Sequence, residues 1–452
     1  MARKKHGPRQ SVRAAVVTAA EKRAIRAETT KKFRKDGWGF IRKNETVDMK
    51  QEDSAMSDFP VHGFRRESRP IEILKVLLPS KLVQGTLEKR GDDRLGGLMF
   101  NKGKGRTYTV KSSVFNAWSI LAVKVLIQGW QDKKKSVPQA VKDAVHDLHQ
   151  SNPKIVVCAT TMNRLLNLFW FEVDSVDEFQ ISEYMADVFT SFGDSVAGDE
   201  KLWKYAGASG YIRLVINKPS RIGLWMFQAA VRLKCGLPCL IYTKMHTSTM
   251  ENLRVIKCFD TVKAWADMIT EHITNGRTLL YMDSYYLTEE GREYLRRKKV
   301  LYVASITRGR FGTIVDTMER NLYKSGMHIT AYSRRTKEAA TYCWSLNPRL
   351  GKKFVIASGY EVVGKAQNDH VCPLYDHYCA GFNGCDLFNR VLHGKLWPYK
   401  LQGDVRNASD YLLTAVLINT FHLWIDAGNL EDRRHDVKWD EFCSMLAHDM
   451  VE

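Results

Sequence analysis

The chain has 452 residues, of which 44% are hydrophobic and 26% are charged. This composition is typical of globular proteins and excludes a chain that is disordered throughout, and the length allows about three domains. No stretch approaches the roughly 18 consecutive apolar residues of a membrane-spanning helix, and the start MARKKHGPRQ lacks the apolar segment of a secretory signal. The nine scattered cysteines do not indicate a disulfide framework and favour a reducing compartment.

The net charge is strongly positive and unevenly distributed. The chain has 69 Lys and Arg against 50 Asp and Glu, a net charge of +19, which favours polyanionic partners and above all nucleic acid. Residues 1–43 alone carry 14 Lys or Arg and three acids, a net +11. Two interpretations of this arm stay open: a disordered solubilising tail, or a segment that binds nucleic acid or directs nuclear import. The candidate residues are Arg3, Lys4, Lys5, Lys31, Lys32, Arg34 and Lys35.

In chain order, the predicted elements are helical at both ends, with alternating strands and helices between them. The arm, residues 1–58, is predicted to be disordered, although 12–34 could form a short Ala-rich helix. Helical spacing of apolar residues then predicts helices over roughly 71–90, 111–129, 138–150 and 182–192. The alternating region follows, with strands at 211–216, 222–233, 239–244, 278–282 and 301–306, and helices at 261–275 and 289–298. Short extended pieces at 328–333, 341–345 and 353–357 and helices around 375–392 and 409–427 complete the chain.

Three acidic residues stand out by position. Asp283 directly follows the apolar strand TLLYM, at the strand end where ligands and metals gather in open α/β sheets. Asp199 leads into the alternating region, and Asp386 falls within a predicted helix. Taken singly, each is typical of a helix cap or a solvated carboxylate. Together they suit a two-metal site, because Mg²⁺ selects carboxylate oxygens and such sites hold two ions about 3.5–4 Å apart.

Three blocks that contain these acids follow one another in a characteristic order. They are DEKLWKYAGASGYIRLVINKPSRIGLWMF, LLYMDSYYLTEEGREYLRRKKVLYVASITRGRFG and YDHYCAGFNGCDLFNRVLHGKLWPYK. In this order and spacing they resemble the acidic blocks of the piggyBac transposase family. The segment PIEILKVLLPSKLVQGTLEKR is similar to the family's amino-terminal helices, so the resemblance covers roughly residues 70–427.

The resemblance implies an α/β protein with an RNase H-like mixed-sheet core, an insertion, and flanking helical segments for DNA binding and dimerisation. The implied domains are a basic arm at 1–58, a helical dimerisation and DNA-binding domain at 59–195, the first part of the core at 196–310, the insertion at 311–372, and core-closing and flanking helices at 373–452. The implied function is DDE-type phosphoryl transfer on double-stranded DNA, by a nuclear homodimer that is not bound to a membrane. Two Mg²⁺ ions would be held by the catalytic acids Asp199, Asp283 and Asp386.

The third block departs from the family pattern. Asn383 stands where the family has the first Asp of Asp-x-x-Asp, and Asp386 matches the second. Asn offers a neutral oxygen, so one negative charge is lost beside two divalent ions. No cysteine-rich zinc module is evident, and zinc is not expected. Three hypotheses stay open: an active transposase, a domesticated or decayed relative that binds DNA without cleaving it, and an unrelated basic nucleic-acid-binding protein.

Arg308 and Arg310 form a further candidate pair. They follow the predicted strand LYVASI in a glycine-containing loop, SITRGRFG, near the expected edge of the active site. We predict that they contact DNA phosphates, which position a duplex without reading its sequence. Simple solvation of two basic loop residues is an equally good interpretation.

Overall fold

The computed structural model describes most of the chain as two compact units. The first unit comprises Met1–Met49 and Ile306–Leu374, and the second comprises Lys50–Ser305 and Tyr375–Glu452. The described residues are 19–35, 37–40, 59–88, 91–92, 97–102, 106–111, 117–131, 134–153, 158–169, 181–193, 195–205, 207, 212–214, 222–246, 258–272, 278–321, 328–333, 335–336, 338–344, 353–359, 373–399, 404–428 and 437–452.

The secondary structure is mixed. The helices are α1 (Ala19–Lys35), α2 (Pro70–Leu77), α3 (Ser80–Glu88), α4 (Ala117–Trp130), α5 (Val137–Ser151), α6 (Ala159–Leu168), α7 (Ile181–Asp187), α8 (Cys258–His272), α9 (Glu289–Lys298), α10 (Arg308–Asn321), α11 (Pro373–Phe382), α12 (Gly384–His393), α13 (Asp404–Ala427) and α14 (Trp439–Val451). The strands are β1 (Trp38–Phe40), β2 (Val61–His62), β3 (Gly91–Asp92), β4 (Gly97–Lys102), β5 (Arg106–Lys111), β6 (Phe189–Ser191), β7 (Ser195–Lys204), β8 (Ile212–Leu214), β9 (Ile222–Arg232), β10 (Pro238–Met245), β11 (Leu279–Met282), β12 (Leu301–Ile306), β13 (His328–Ser333), β14 (Glu338–Trp344) and β15 (Lys353–Ser358). Among the described residues, no helix combines the length and the apolar character that a bilayer crossing needs.

The core of the second unit is a mixed sheet whose strands lie in the order β10-β9-β7-β11-β12. Strand β9 is antiparallel to both β10 and β7, whereas β7, β11 and β12 run parallel to one another. All four residues of β11 are buried, as expected for a parallel strand covered on both faces. The predicted α/β class with an RNase H-like mixed-sheet core is confirmed.

Helix α8 packs closely on one face of this sheet, and a glycine on β7 permits the approach. A Cβ atom at Gly198 would lie 2.6 Å from the ring of Trp265 on α8. The Trp265 side chain is fully buried, and its ring centroid lies 4.8 Å from that of Tyr286. Because successive side chains of a strand alternate between faces, Ala197 and Asp199 belong to the opposite face.

Helix α13 is the buried helix of the second unit. Every residue from Ala408 to Ile425 is buried, which is typical of a helix surrounded by protein on all sides. It packs against β10, α2 and α12. It also holds an ion pair with α4, in which Lys124 Nζ lies 2.8 Å from Asp410 Oδ1. Both of these side chains are buried, and each charge therefore needs the other.

The first unit joins part of the basic arm to part of the predicted insertion. Strands β1, β13, β14 and β15 pair antiparallel in that order, and α1 packs against α10. Phe33 of α1 is 2% exposed, and its ring centroid lies 5.3 Å from that of Phe40 on β1. Residues 19–35 and 38–40 thus form a helix and a strand where the sequence led us to expect a disordered arm, in keeping with the alternative of a short helix. Arg3, Lys4 and Lys5 lie outside the described residues.

The segment after β12 is a helix and not the expected loop. Arg308 and Arg310 lie in the first turn of α10, which is kinked at Phe311. The inward-facing residues of α10 are buried at helical spacing, as Phe311, Ile314 and Met318 show. Gly309 and Gly312 have low helix propensity, so burial of these apolar residues against the rest of the unit stabilises a helix that the local sequence does not favour.

Candidate functional site

Polar residues occupy one level of four neighbouring strands in the second unit. Gly198 of β7 pairs with Met282 of β11, which pairs with Ala304 of β12. The residues that directly follow these three are polar: Asp199, Asp283 and Ser305. Asp199 also pairs with Gln228 of β9. Neighbouring strands lie about 4.8 Å apart, so the side chains on adjacent strands are within reach of each other. We call this set the polar row: Gln228, Asp199, Asp283 and Ser305.

Asp283 is held at the point where the chain leaves β11. Its Oδ1 accepts hydrogen bonds from the Ser284 backbone N–H and from Ser305 Oγ, the latter at 3.0 Å. The Ser284 N–H also lies 2.9 Å from Ser305 Oγ, and the Asp283 carbonyl accepts from the Tyr286 N–H at 3.1 Å. Among the described residues, the side-chain bonds of Asp283 all end on Oδ1. This carboxylate is therefore anchored through one oxygen.

Helices α11 and α12 cover the face of the sheet that carries the polar row. A Cβ atom at Gly381 of α11 would lie 2.3 Å from the ring of Tyr281, and one at Gly384 of α12 would lie 3.1 Å from the Ala197 Cβ. Cys385 Sγ lies 3.1 Å from the Ala197 carbonyl oxygen. Tyr281 and Ala197 each stand two residues before an acid of the row, and so share its face. The third sequence block is thereby brought to the same face as the first two.

Tyr378 of α11 lies close to the acids of the row. Burial raises the pKa of its phenol, and the negative charges of Asp283 and Asp199 raise that pKa further, whereas a hydrogen bond with Ser305 acts in the opposite direction. The phenol is therefore neutral at physiological pH. It is a hydrogen-bonding group beside the two carboxylates.

Asn383 and Asp386 lie at the start of α12 and are both exposed. Asn383 is the N-cap, and its backbone carbonyl accepts from the Leu387 N–H at 2.9 Å. Asp386 stands in the first turn, where a negative charge is favoured by the helix dipole. Burial raises the pKa of the Cys385 thiol, and the charges of Asp199 and Asp386 add to this. Both carboxylates thus lie near the same thiol.

The arrangement of the carboxylates decides which metal they could hold. In the part of the chain that the structure describes, no three His, Cys, Asp or Glu side chains are grouped so that they could bind an ion. Asp386 therefore does not form a closed cage with the two acids of the row. Mg²⁺ is usually bound by one or two carboxylates together with waters and substrate phosphates, and the adjacent pair Asp199 and Asp283 fits that mode. The role of these two acids as metal ligands stays a prediction.

Gln228, at the β9 end of the polar row, belongs to a buried hydrogen-bond network. Gln228 is fully buried, and its Oε1 accepts from Asn389 Nδ2 at 3.0 Å. Its amide nitrogen donates to the hydroxyl of Tyr411. Because these partners satisfy both ends of the amide, Gln228 supports the sheet and is not available to a ligand.

A basic pair lies beyond Asp199 on the same face. Lys201 Nζ lies 2.7 Å from His393 Nε2 on α12. Burial and the charge of Lys201 lower the pKa of His393, so this imidazole accepts a hydrogen bond in its neutral form. Lys201 was not predicted from the sequence, although the alternation of strand side chains places it on the face of Asp199. Ser305 and Tyr378 were not predicted either.

The basic residues expected to bind DNA lie in the first unit and differ in their surroundings. Arg308 Nε lies 2.6 Å from Asp316 Oδ1, and its guanidinium also pairs with Glu319. Its charge is thus offset within its own helix, whereas Arg310 is exposed in the same turn. The four cations at the end of α1 are all exposed: Lys31, Lys32, Arg34 and Lys35.

Comparison with solved structures identifies a similar fold. The chain matches the cryo-EM structure of a piggyBac transposase synaptic complex with hairpin DNA at a TM-score of 0.62, covering 85% of this chain and 81% of that one. The fold is piggyBac-like. The sequence identity is 11%, so the similarity is one of fold alone. No family model matches the chain, and no curated protein matches it.

Proposed function

We propose that this chain is a transposase-derived protein that binds double-stranded DNA and carries a DDE-type site weakened at its third acid. The observation that carries the proposal is the placement of Asp199 and Asp283 side by side on parallel strands, in a piggyBac-like fold. Asp283 follows the carboxyl end of β11, the kind of edge where α/β sheets bind ligands, and Asp199 lies in the middle of β7. The solved structure of similar fold is a complex with hairpin DNA, which supports DNA as the ligand class.

The charge distribution supports a DNA backbone as the partner. Four exposed cations stand within five residues at the end of α1: Lys31, Lys32, Arg34 and Lys35. Arg310 adds an exposed charge on α10. Such residues bind phosphates without regard to base sequence. Nuclear location and a homodimer are parts of the same proposal, and the basic clusters of the arm support the former.

The acids of the row would hold magnesium. Asp199 and Asp283 supply hard, anionic oxygens, and Asp386 is the third candidate ligand, with two ions in the full DDE arrangement. Bound Mg²⁺ would polarise the phosphate and make the attacking water more acidic. Asn383 contributes only a neutral oxygen at the position where the family has an acid. We therefore expect retained DNA binding and little or no magnesium-dependent cleavage.

The DNA-binding part is tested by measuring affinity for duplex DNA over a range of salt concentrations. With roughly 6–10 phosphate contacts, affinity should fall by about 10³–10⁵ between 50 and 200 mM salt. Replacing Lys31, Lys32, Arg34 and Lys35 by Gln should flatten this dependence. The matched control replaces four exposed lysines of the second unit by Gln: Lys81, Lys142, Lys234 and Lys299. An equal slope in both variants would show that α1 does not contact DNA.

The catalytic part is tested by a nicking assay on intact and pre-nicked duplexes with Mg²⁺ or Mn²⁺. We expect no robust cleavage by the natural sequence, and tighter metal binding by Asn383→Asp. Robust cleavage by the natural sequence would instead indicate an active transposase with Asp386 as its third acid. DNA binding without cleavage in both proteins would favour a domesticated relative. Unchanged metal binding in Asp199→Asn would favour an unrelated basic DNA-binding protein.

A further inference from the structure

We infer that Ser305 is a positioning residue for the metal-binding carboxylate of Asp283. The inference rests on the proposed function, because it concerns how one acid of the proposed metal site is oriented. Ser305 lies on β12, at the level of the two acids, although none of the three sequence blocks marks it as functional. Its hydroxyl donates directly to an acid of the polar row, at 3.0 Å from Asp283 Oδ1.

The hydrogen bonds of Ser305 fix the direction of its proton. A serine hydroxyl has one proton to donate and two lone pairs that accept. The Ser284 backbone N–H, which can only donate, takes one lone pair at 2.9 Å. Ionised Asp283, which can only accept, takes the proton at 3.0 Å. The proton of Ser305 is therefore directed at Asp283.

These hydrogen bonds fix the rotation of the Asp283 carboxylate. Asp283 Oδ1 is shared between the Ser284 N–H and Ser305 Oγ, so rotation about the Cβ–Cγ bond would break both hydrogen bonds. Oδ2 then remains as the oxygen for a cation between Asp283 and Asp199. Hydrogen bonds to a ligating carboxylate commonly change metal affinity by about 10–100-fold. A hydroxyl on the neighbouring parallel strand is well suited to this role, because the sheet itself fixes its distance.

The test is a calorimetric titration of the full chain with Mn²⁺, in parallel with thermal unfolding. It uses the natural sequence and Asn383→Asp as parents, and compares Ser305→Ala, which removes the hydroxyl, with Ser305→Thr, which keeps it. The matched control is Ser182→Ala on α7. Ser182 Oγ likewise donates to one acceptor, the Thr243 carbonyl at 2.7 Å, and accepts from a backbone N–H. These contacts are with β10, which carries no residue of the polar row. If Ser305→Ala does not fold, Ser305→Cys replaces it, since a thiol is a poor donor.

We expect Ser305→Ala to weaken Mn²⁺ binding by about 10-fold or more, and Ser305→Thr and Ser182→Ala to bind like the parent. Equal affinity in Ser305→Ala and its parent would overturn the inference and leave the proposed function intact. A weaker affinity that Ser182→Ala shares would also overturn it, because the effect would then come from general loss of stability. Absence of Mn²⁺ binding in both parents would overturn the proposed metal site itself, and the role of Ser305 with it.

Discussion

Asp199 and Glu200 are consecutive residues of β7, and their side chains belong to opposite faces of the central sheet. Glu200 Oε2 accepts a hydrogen bond of 2.5 Å from the hydroxyl of Tyr286, whose side chain is fully buried. Burial raises the pKa of Tyr286, and the charge of Glu200 raises it further, so this phenol stays protonated and donates. Asp199 instead shares its face with a second carboxylate, Asp283. Glu200 completes the core, whereas Asp199 takes part in a pair of like charges.

The difference lies in the groups that surround each charge. Like charges on neighbouring strands repel one another, and a bound cation relieves that repulsion. The basic residues differ in a similar way. Arg308 has two carboxylate partners, whereas the cations at the end of α1 are exposed.

The largest expected effect concerns a buried group that must stay uncharged. His422 of α13 is 2% exposed, its Nδ1 lies 2.6 Å from the Pro238 carbonyl oxygen, and burial lowers its pKa to about 4. An unfolded histidine has a pKa near 6.5, so between these values the unfolded chain binds more protons. Stability should therefore be full above pH about 6.5 and fall by up to about 3 kcal/mol as the pH approaches 4.

Urea unfolding at several pH values measures this loss. His422→Asn keeps a donor for the Pro238 carbonyl and removes the titration, so its stability should depend less steeply on pH over this range. His146→Asn, at an exposed position of α5, serves as the control and should retain the steep dependence. Identical pH dependence in His422→Asn and the natural sequence would contradict this account.

The two acids of β7 should respond in opposite ways to loss of charge. Glu200→Gln weakens a charge-assisted hydrogen bond to buried Tyr286 and should lower the free energy of unfolding by about 1.5 kcal/mol, with metal binding retained. Asp199→Asn removes a charge from a repelling pair and should change stability by less than about 0.5 kcal/mol. Denaturant unfolding of both variants makes the comparison. A larger stability loss in Asp199→Asn would show that the polar row is a structural feature.

The smallest effect is expected for Arg308. An exposed ion pair contributes roughly 0–1 kcal/mol, so Arg308→Ala should lower stability within that range and change DNA affinity little. Lys32→Ala, at an exposed position of α1, should weaken binding to all duplexes alike and leave stability unchanged. Affinity and thermal unfolding are measured on both variants. Weaker binding by Arg308→Ala than by Lys32→Ala would restore the sequence-based prediction that Arg308 contacts DNA.

Much of the core could be predicted because its local signals are strong. The helix predicted at 289–298 and the strand predicted at 301–306 match α9 and β12 residue for residue. Helix α9 has a good N-cap, since Thr288 Oγ1 accepts from the Gly291 N–H at 3.0 Å, and basic residues in its last turn. Strand β11 was also evident, as a short apolar run that ends at Asp283.

Other features depend on contacts between distant parts of the chain, which local patterns do not reveal. Helix α10 contains two glycines and is stabilised by burial of residues such as Phe311 and Met318. Helix α1 has little apolar periodicity, and Phe33 is its buried anchor. The polar row depends on strand register, which aligns Asp199, Asp283 and Ser305 although they are far apart in sequence. A single serine at a strand end gives no signal until that register is known.

The central claim is that Asp199 and Asp283 form one metal site, and Mn²⁺ titration of carboxylate variants tests it most directly. The account predicts that Asp199→Asn and Asp283→Asn each weaken binding by about 10-fold or more. Because the two acids act on the same ion, the double variant should bind little worse than either single variant. Glu200→Gln, one residue away on the other face, should bind Mn²⁺ like the natural sequence. Unchanged affinity in Asp199→Asn or Asp283→Asn, or an equal loss in Glu200→Gln, would contradict the claim.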